Sequence, residues 1–452
     1  MATQAWRNSR VKETNDDPAR LAALLGEVAY WLFVATNILS VCAVKLGVGG
    51  LPFRMWTLLA AGALLLITDA AQVRQALRET AKLLLIITAA ALIGLVVSVI
   101  ARAPLPEVLR QVVEIHVQAV VGVVISYTLM LRFGLPRVLY AFLIGYGITA
   151  VVAVGQALHV ELAWNLRERI AVLSNDSIFN MENYNPRERP MGMSYTPVLF
   201  ATQTCVALAA IFYVRLWQGS YRSPKLDWIV IASSVVLIGL SVITGNRSPM
   251  IGIAAFLMIF LVARRPALTG ILLPIALVGG GLITMNAQIF EGTGLRVARA
   301  SNSSSQNRST LRAYGTYLVE RRPIGYGFTF DSTTKWPVFY QQSIYMPNPN
   351  SIRNWVLHNY YLQILTKYGL LILFLLPWII PTRRDHVILW LPFAAYAIHI
   401  FYHNDGPLQG DFLVFYTFAA AVLLARQPEL FRASLPSARP VPWRRAFAKP
   451  LD

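Results

Sequence analysis

Three arginines and one histidine in this chain could act together on a phosphorylated substrate. Arg187 and Arg189 stand in NPRERPMG, Arg247 in TGNRSPMIG and His358 in VLHNYYLQILTKYG. Each lies at the edge of a long apolar block. An Arg facing lipid at the centre of such a block costs roughly 2.5–3.5 kcal/mol, so it must reach outward to water or meet an anion. Guanidinium groups hold phosphate through paired, charge-assisted hydrogen bonds. By spacing alone, Arg187 fits a lipid-headgroup contact somewhat better than a site, and Arg189 and Arg247 fit either. His358 has an ordinary pKa of about 6.5 and can act as a base near neutral pH. By position alone, an interfacial histidine with satisfied hydrogen bonds explains it as well.

Other chemistry is thinly represented. His116, His159, His386, His399 and His403 are scattered, and no pair has HExxH spacing. His399 and His403 are four apart at the end of an apolar block, with Asp405 following, and a polar helix end accounts for them without a metal. The carboxylates at the same edges, including Glu161, Glu168, Glu182, Glu320, Asp331, Asp405 and Asp411, form no DxD-like pair. Positive side chains, rather than a divalent metal, are therefore expected to hold any diphosphate, and no cofactor is expected. Walker A and GxGxxG patterns are absent, which argues against ATP-driven pumping.

The elements that must position these residues are membrane helices. Of the 452 residues, 56% are hydrophobic and only 14% charged, against roughly 25% charged in soluble domains. The mean hydropathy is +0.51. Apolar blocks fall near 28–47, 52–69, 82–101, 113–132, 137–160, 192–214, 227–244, 248–263, 268–287, 359–381, 387–404 and 411–426, many of them near the length that crosses a bilayer as a helix. The net charge of +18 is spread between these blocks, which points to membrane lipid and phosphate and away from nucleic acid. Cys42 and Cys205 lie inside apolar blocks and imply no disulfide.

With the N-terminus inside, the inner loops and tails carry more than twice as many Lys and Arg as the outer ones, the longest outer loop aside. The reading is an all-α polytopic membrane protein of about 12 transmembrane helices. It has a cytoplasmic tail over 1–27, spans 1–9 over 28–287 with an outer loop at 161–191, and a large outer loop over 288–358 between spans 9 and 10. Spans 10–12 follow over 359–426, then a cytoplasmic tail over 427–452. Long loops of this kind usually carry function. Within the larger one, the spacing of Leu311, Tyr314, Leu318 and Arg322 predicts an amphipathic helix over 309–321 that roofs a cavity.

The ordered set RPMGMSYTP, GNRSPMIG, RSTLRAYGTYLVERRPIGYGF and HNYYLQILTKYGLL resembles the O-antigen ligase and O-antigen polymerase superfamily, and most closely its WaaL-type ligases. The HNxxLQ element after a large loop is the most specific part. The resemblance implies a bacterial inner-membrane enzyme with a periplasmic active site, both termini being cytoplasmic. It implies an undecaprenyl-diphosphate-linked glycan as donor and lipid A–core as acceptor. It makes His358 the general base and Arg189 and Arg247 diphosphate ligands, with Arg187 as the position to which the motif would shift. It adds Arg308 or Arg312 as a further phosphate-side arginine. A polymerase or a protein O-oligosaccharyltransferase would share the donor. A non-enzymatic flippase or transporter is disfavoured because the centres of the apolar blocks carry almost no charge.

Overall fold

The fold is that of a computed structural model describing residues 17–42, 47–48, 51–173, 187, 189–219, 221, 223–265, 303–379, 384–409 and 411–432. The described residues are almost wholly helical. The main elements are α1 (Asp17–Val41), α2 (Phe53–Thr68), α3 (Ala70–Glu79), α4 (Ala81–Ile100), α5 (Leu105–Phe133), α6 (Leu135–Ala157), α7 (Glu161–Leu173) and α8 (Pro197–Gln218). They continue with α9 (Pro224–Ile243), α10 (Arg247–Arg264), α11 (Ser303–Arg321), α12 (Tyr360–Tyr368), α13 (Arg384–Trp390), α14 (Phe393–Phe401) and α15 (Leu413–Ala425). A two-residue hairpin, Gly47–Val48 with Leu51–Pro52, links α1 to α2.

Seven of the helices are long and apolar enough to cross a membrane, and nine spans result if each of two sharply bent pairs counts as one. The chain is thus a multi-pass membrane protein. The expected span at 268–287 lies outside the described residues, as do the two tails for most of their length and the first part of the large loop. The block at 387–404 is split at Pro392, which has no N–H to offer a continuous helix, into α13 and α14. The block at 411–426 holds a helix of 13 residues.

Burial sorts the helices. In α8, 83% of the most apolar stretch is buried, against 28% in α4. A helix apolar on all sides belongs at the centre of a bundle, and α8 packs against α6, α9, α10, α14 and α15. The outer helices turn apolar residues such as Leu92, Val96 and Val99 outward, as surfaces facing lipid tails do.

Both bends have local causes. Asp69 ends α2, the chain turns by 113° into α3, and the Asp69 carboxylate takes an ion pair from Arg132 at the end of α5. The second bend, 109°, follows α12. Gly369 has φ +70°, a region open to glycine and strained for other residues. Its N–H caps α12 on the Leu365 carbonyl, and the next N–H, of Leu370, donates to Pro323 O at 2.7 Å. The expected continuous span over 359–381 is therefore a helix and a sharply turned continuation.

The large loop has its own core. Leu311, Tyr314 and Leu318 on α11 pack with Phe339, Ile352 and Leu357, so the predicted amphipathic face exists and the helix begins six residues before the predicted start. Arg322 lies just past its end and stays out of that core. Tyr326 and Gly327 donate to the carbonyls of Thr366 and Lys367 at 2.8 and 3.0 Å, which stitches the loop to α12.

A Cβ at Gly369 would stand 2.2 Å from the Ile324 carbonyl oxygen, in a strained backbone conformation. Gly369→Ala is expected to destabilise the fold by at least about 1–3 kcal/mol, read as a lowered unfolding temperature in detergent. An unchanged transition would refute this account of the bend.

Candidate active site

The Arg189 segment is irregular backbone against apolar helices, and every part of it needs hydrogen-bond partners. Gln156, near the end of α6 and fully buried, supplies several. Its Oε1 accepts from Met191 N at 2.9 Å and Gly192 N at 2.8 Å, and its Nε2 donates to Gly192 O at 3.0 Å. Arg167 on α7 is equally buried and donates to Ser194 O at 3.0 Å and Tyr195 O at 3.3 Å. Gly192 has φ +61° and leaves no room for a Cβ beside Thr149 O. The RPMGMSY motif thus encodes a stitched turn that leads from Arg189 to Thr196, whose hydroxyl caps α8.

His358 is held from both sides. Leu357 is buried in the loop core, and the Asn359 side chain accepts from Leu362 N at 3.0 Å as the N-cap of α12. Such a cap contributes about 1 kcal/mol. The imidazole Nδ1 lies 2.7 Å from the Val356 carbonyl. A carbonyl can only accept, so Nδ1 carries the proton and Nε2 keeps its lone pair in the neutral ring. Burial pushes the pKa of His358 down by more than its hydrogen bond to Val356 raises it, and the charges of Arg308 and Arg189 lower it as well. The ring is thereby held in its neutral, proton-accepting form at pH 7.

Behind it lies a second polar group. Gly252 lets α10 approach α14 so closely that a Cβ there would meet Ala395 O at 2.4 Å. One turn earlier, Ser248 consequently reaches both His399 Nδ1 at 3.0 Å and His403 Nε2 at 2.8 Å. His399 Nε2 lies 2.9 Å from the Thr202 hydroxyl, which itself donates to Val198 O. The proton directions follow in sequence. Thr202 accepts from His399 Nε2, His399 Nδ1 accepts from Ser248, and Ser248 accepts from His403 Nε2. This leaves His403 Nδ1 a buried acceptor with no partner among the described residues. The charges of Arg308 and Arg189, and His358 itself, act on His403 as well. The spacing of His399 and His403 was visible in the sequence, but Ser248 and Thr202 come from distant helices and carried no signal there. Among the described residues, no three metal-ligating side chains are grouped.

The other expected site residues separate. Arg308 acts on His358, His399 and His403, whereas Arg312, one turn on, lays its guanidinium over the Phe401 ring at 4.8 Å. Arg247 heads α10 directly before Ser248. Arg187 pairs with Glu168 at 2.9 Å and Glu161 at 3.3 Å on an exposed surface. A cavity of about 520 Å³ is lined by Arg74, Arg78, Glu79 and Arg426. None of the cluster's residues lines it.

Residues 193–376 match the family model described as O-antigen ligase. This segment, well under half of the chain, is similar to the O-antigen ligase superfamily. The O-antigen ligase match opens inside the stitched turn, takes in Ser248 and α11, and closes past the bend after α12. Arg189 precedes it by four residues, and His399 and His403 lie beyond it. The family covers ligases and polymerases, glycosyltransferase-like enzymes that act on lipid-linked glycans. No curated protein and no solved structure matches the chain.

The anchoring makes a comparison. Gln156→Ala strips a buried turn of its partners and is expected to cost about 1–3 kcal/mol. Arg187→Ala removes exposed ion pairs that water screens, and is expected to cost far less. Denaturation of the two variants in the same detergent should rank them in that order; equal transitions would count against the anchoring role of Gln156.

Proposed function

We propose that this chain is an O-antigen ligase of the bacterial inner membrane. It would transfer O-antigen polysaccharide from undecaprenyl diphosphate to a sugar of lipid A–core on the periplasmic face, without a metal and with inversion. The observation that carries this reading is the electrostatic contact of Arg189 and Arg308 with a histidine whose Nε2 is free to take a proton, within an O-antigen ligase segment.

In this mechanism an acceptor hydroxyl gives its proton to His358 Nε2 as its oxygen attacks the anomeric carbon. The bond from that carbon to the diphosphate oxygen breaks, and undecaprenyl diphosphate leaves with the electron pair. Arg189, Arg247 and Arg308 stabilise the charge that gathers on it. The same cations set the timing. Without donor, they hold His358 neutral but weaken it as a base. A bound diphosphate offsets their charge and restores the basicity of the imidazole when the acceptor must be deprotonated.

The reading is tested in vesicles holding purified protein, undecaprenyl-diphosphate-linked glycan and lipid A–core. Ligated lipopolysaccharide is expected, insensitive to chelator. Chain extension on the lipid carrier would indicate a polymerase, and relocation of donor without transfer a flippase. His358→Ala should lower turnover on the order of 10²–10⁴-fold, and Arg308→Gln should cost far more than Arg312→Gln. Activity should fall as pH drops through the pKa of His358. Because that pKa is depressed in the free enzyme, the acid limb of kcat/KM should lie below about pH 6.5, and that of kcat should lie higher. Coincident limbs would reject the coupling between donor and base.

A further inference from the structure

On the other side of the His358 segment is a cavity of about 240 Å³. Val356, whose carbonyl orients the His358 ring, forms part of its wall, and Leu357 follows. Its polar groups include Gln111, Asp331, Gln363 and Lys367, and Phe330 supplies an aromatic wall. We propose that this cavity is a subsite for the acceptor glycan, receiving a single monosaccharide unit across the His358 segment from the base. The inference rests on the glycosyl-transfer reading above and names where its second substrate binds.

The chemistry of the lining distinguishes it from the arginine cluster. Arg189 and Arg308 present cationic charge alone, which suits a diphosphate. Here the charges of Asp331 and Lys367 cancel, so an anion gains little. What remains is a mixed set. Two amides offer donors and acceptors, a carboxylate accepts and an ammonium donates. A pyranose needs this combination, because each hydroxyl both donates and accepts while its C–H face is apolar. Phe330 is held in place by stacking on Tyr326 at 4.2 Å between ring centroids. The Gln363 Oε1 atom is buried with no hydrogen-bond partner among the described residues, an acceptor that a sugar hydroxyl would satisfy. Gln111 is placed by local backbone geometry, since it directly precedes a π-helical turn, Val112–Val117, within α5. Such turns recur at functional sites. Lys367 is steadied by its bond to Gln409 Oε1 at 3.2 Å. The volume lies below the roughly 300–1,000 Å³ of pockets for larger ligands, which limits the occupant to about one sugar unit.

The test measures two bindings on the full chain in detergent: core oligosaccharide freed of lipid A, and undecaprenyl diphosphate without glycan. Gln363→Ala and Asp331→Asn are the variants; Asn keeps the cap that Asp331 provides to Thr333 N and loses only the charge. Both are expected to weaken oligosaccharide binding at least tenfold and to leave undecaprenyl diphosphate binding unchanged, which also shows that they are folded. Arg308→Gln should do the reverse. In the ligation assay, the two pocket variants should raise KM for acceptor and leave KM for donor alone. Unchanged oligosaccharide affinity in both variants, or equal weakening of both ligands, overturns the subsite. Absence of any transfer by the wild-type chain, with oligosaccharide binding intact and sensitive to both variants, would overturn the ligase reading while sparing the pocket.

Discussion

Irregular backbone cannot be left unpaired inside an apolar bundle, and the architecture around the site answers to that constraint. A buried peptide group without a partner costs free energy comparable to a lost hydrogen bond. The residues before α8 and those on either side of α12 break the helical ladder where lipid or packed side chains surround them. Gln156, Arg167 and Asn359 replace the missing partners, as does Ser98, whose hydroxyl accepts from Phe328 N. Because these side chains come from separate helices, the turns they hold are fixed relative to the bundle. A turn fixed in this way can carry a guanidinium or an imidazole to a defined place.

Close helix approach supplies the second half of the device. Gly252 removes the side chain that would hold α10 away from α14, and the two helices meet backbone to backbone. Ser248 then reaches two histidines that a wider spacing would leave apart. The resulting chain of hydrogen bonds has one consistent direction, and it ends on the unpaired acceptor of His403. A polar network that is satisfied everywhere except at one buried atom is costly unless a ligand completes it, and this atom lies within the field of the same cations that act on His358.

The polar groups near His358 divide into two chemistries. Cations gather with the histidines, and a charge-balanced, amide-rich cavity opens on the far side of Val356. A transfer reaction that joins a diphosphate-linked donor to a sugar acceptor needs two such surfaces meeting at one base. The loop core built on α11 serves both, because Leu357 is buried in it while Arg308 projects from the same helix toward the histidines.

Membrane class, the apolar helices and the amphipathic face of α11 were all legible in the residues, because periodicity and charge placement are local properties of a chain. Bends were not, since Gly369 and Asp69 act through partners on other segments, Pro323 and Ile324 for the first and Arg132 for the second. Composition likewise could not separate Arg187 from Arg189, two positions apart with the same side chain. The fold places one between two glutamates and the other beside a histidine. Arg308 and Arg312 share a helix face and differ only in what α14 presents to each. Which charged groups meet is decided by the packing of distant segments, and an electrostatic interaction depends on distance in space, to which spacing along the chain is a poor guide.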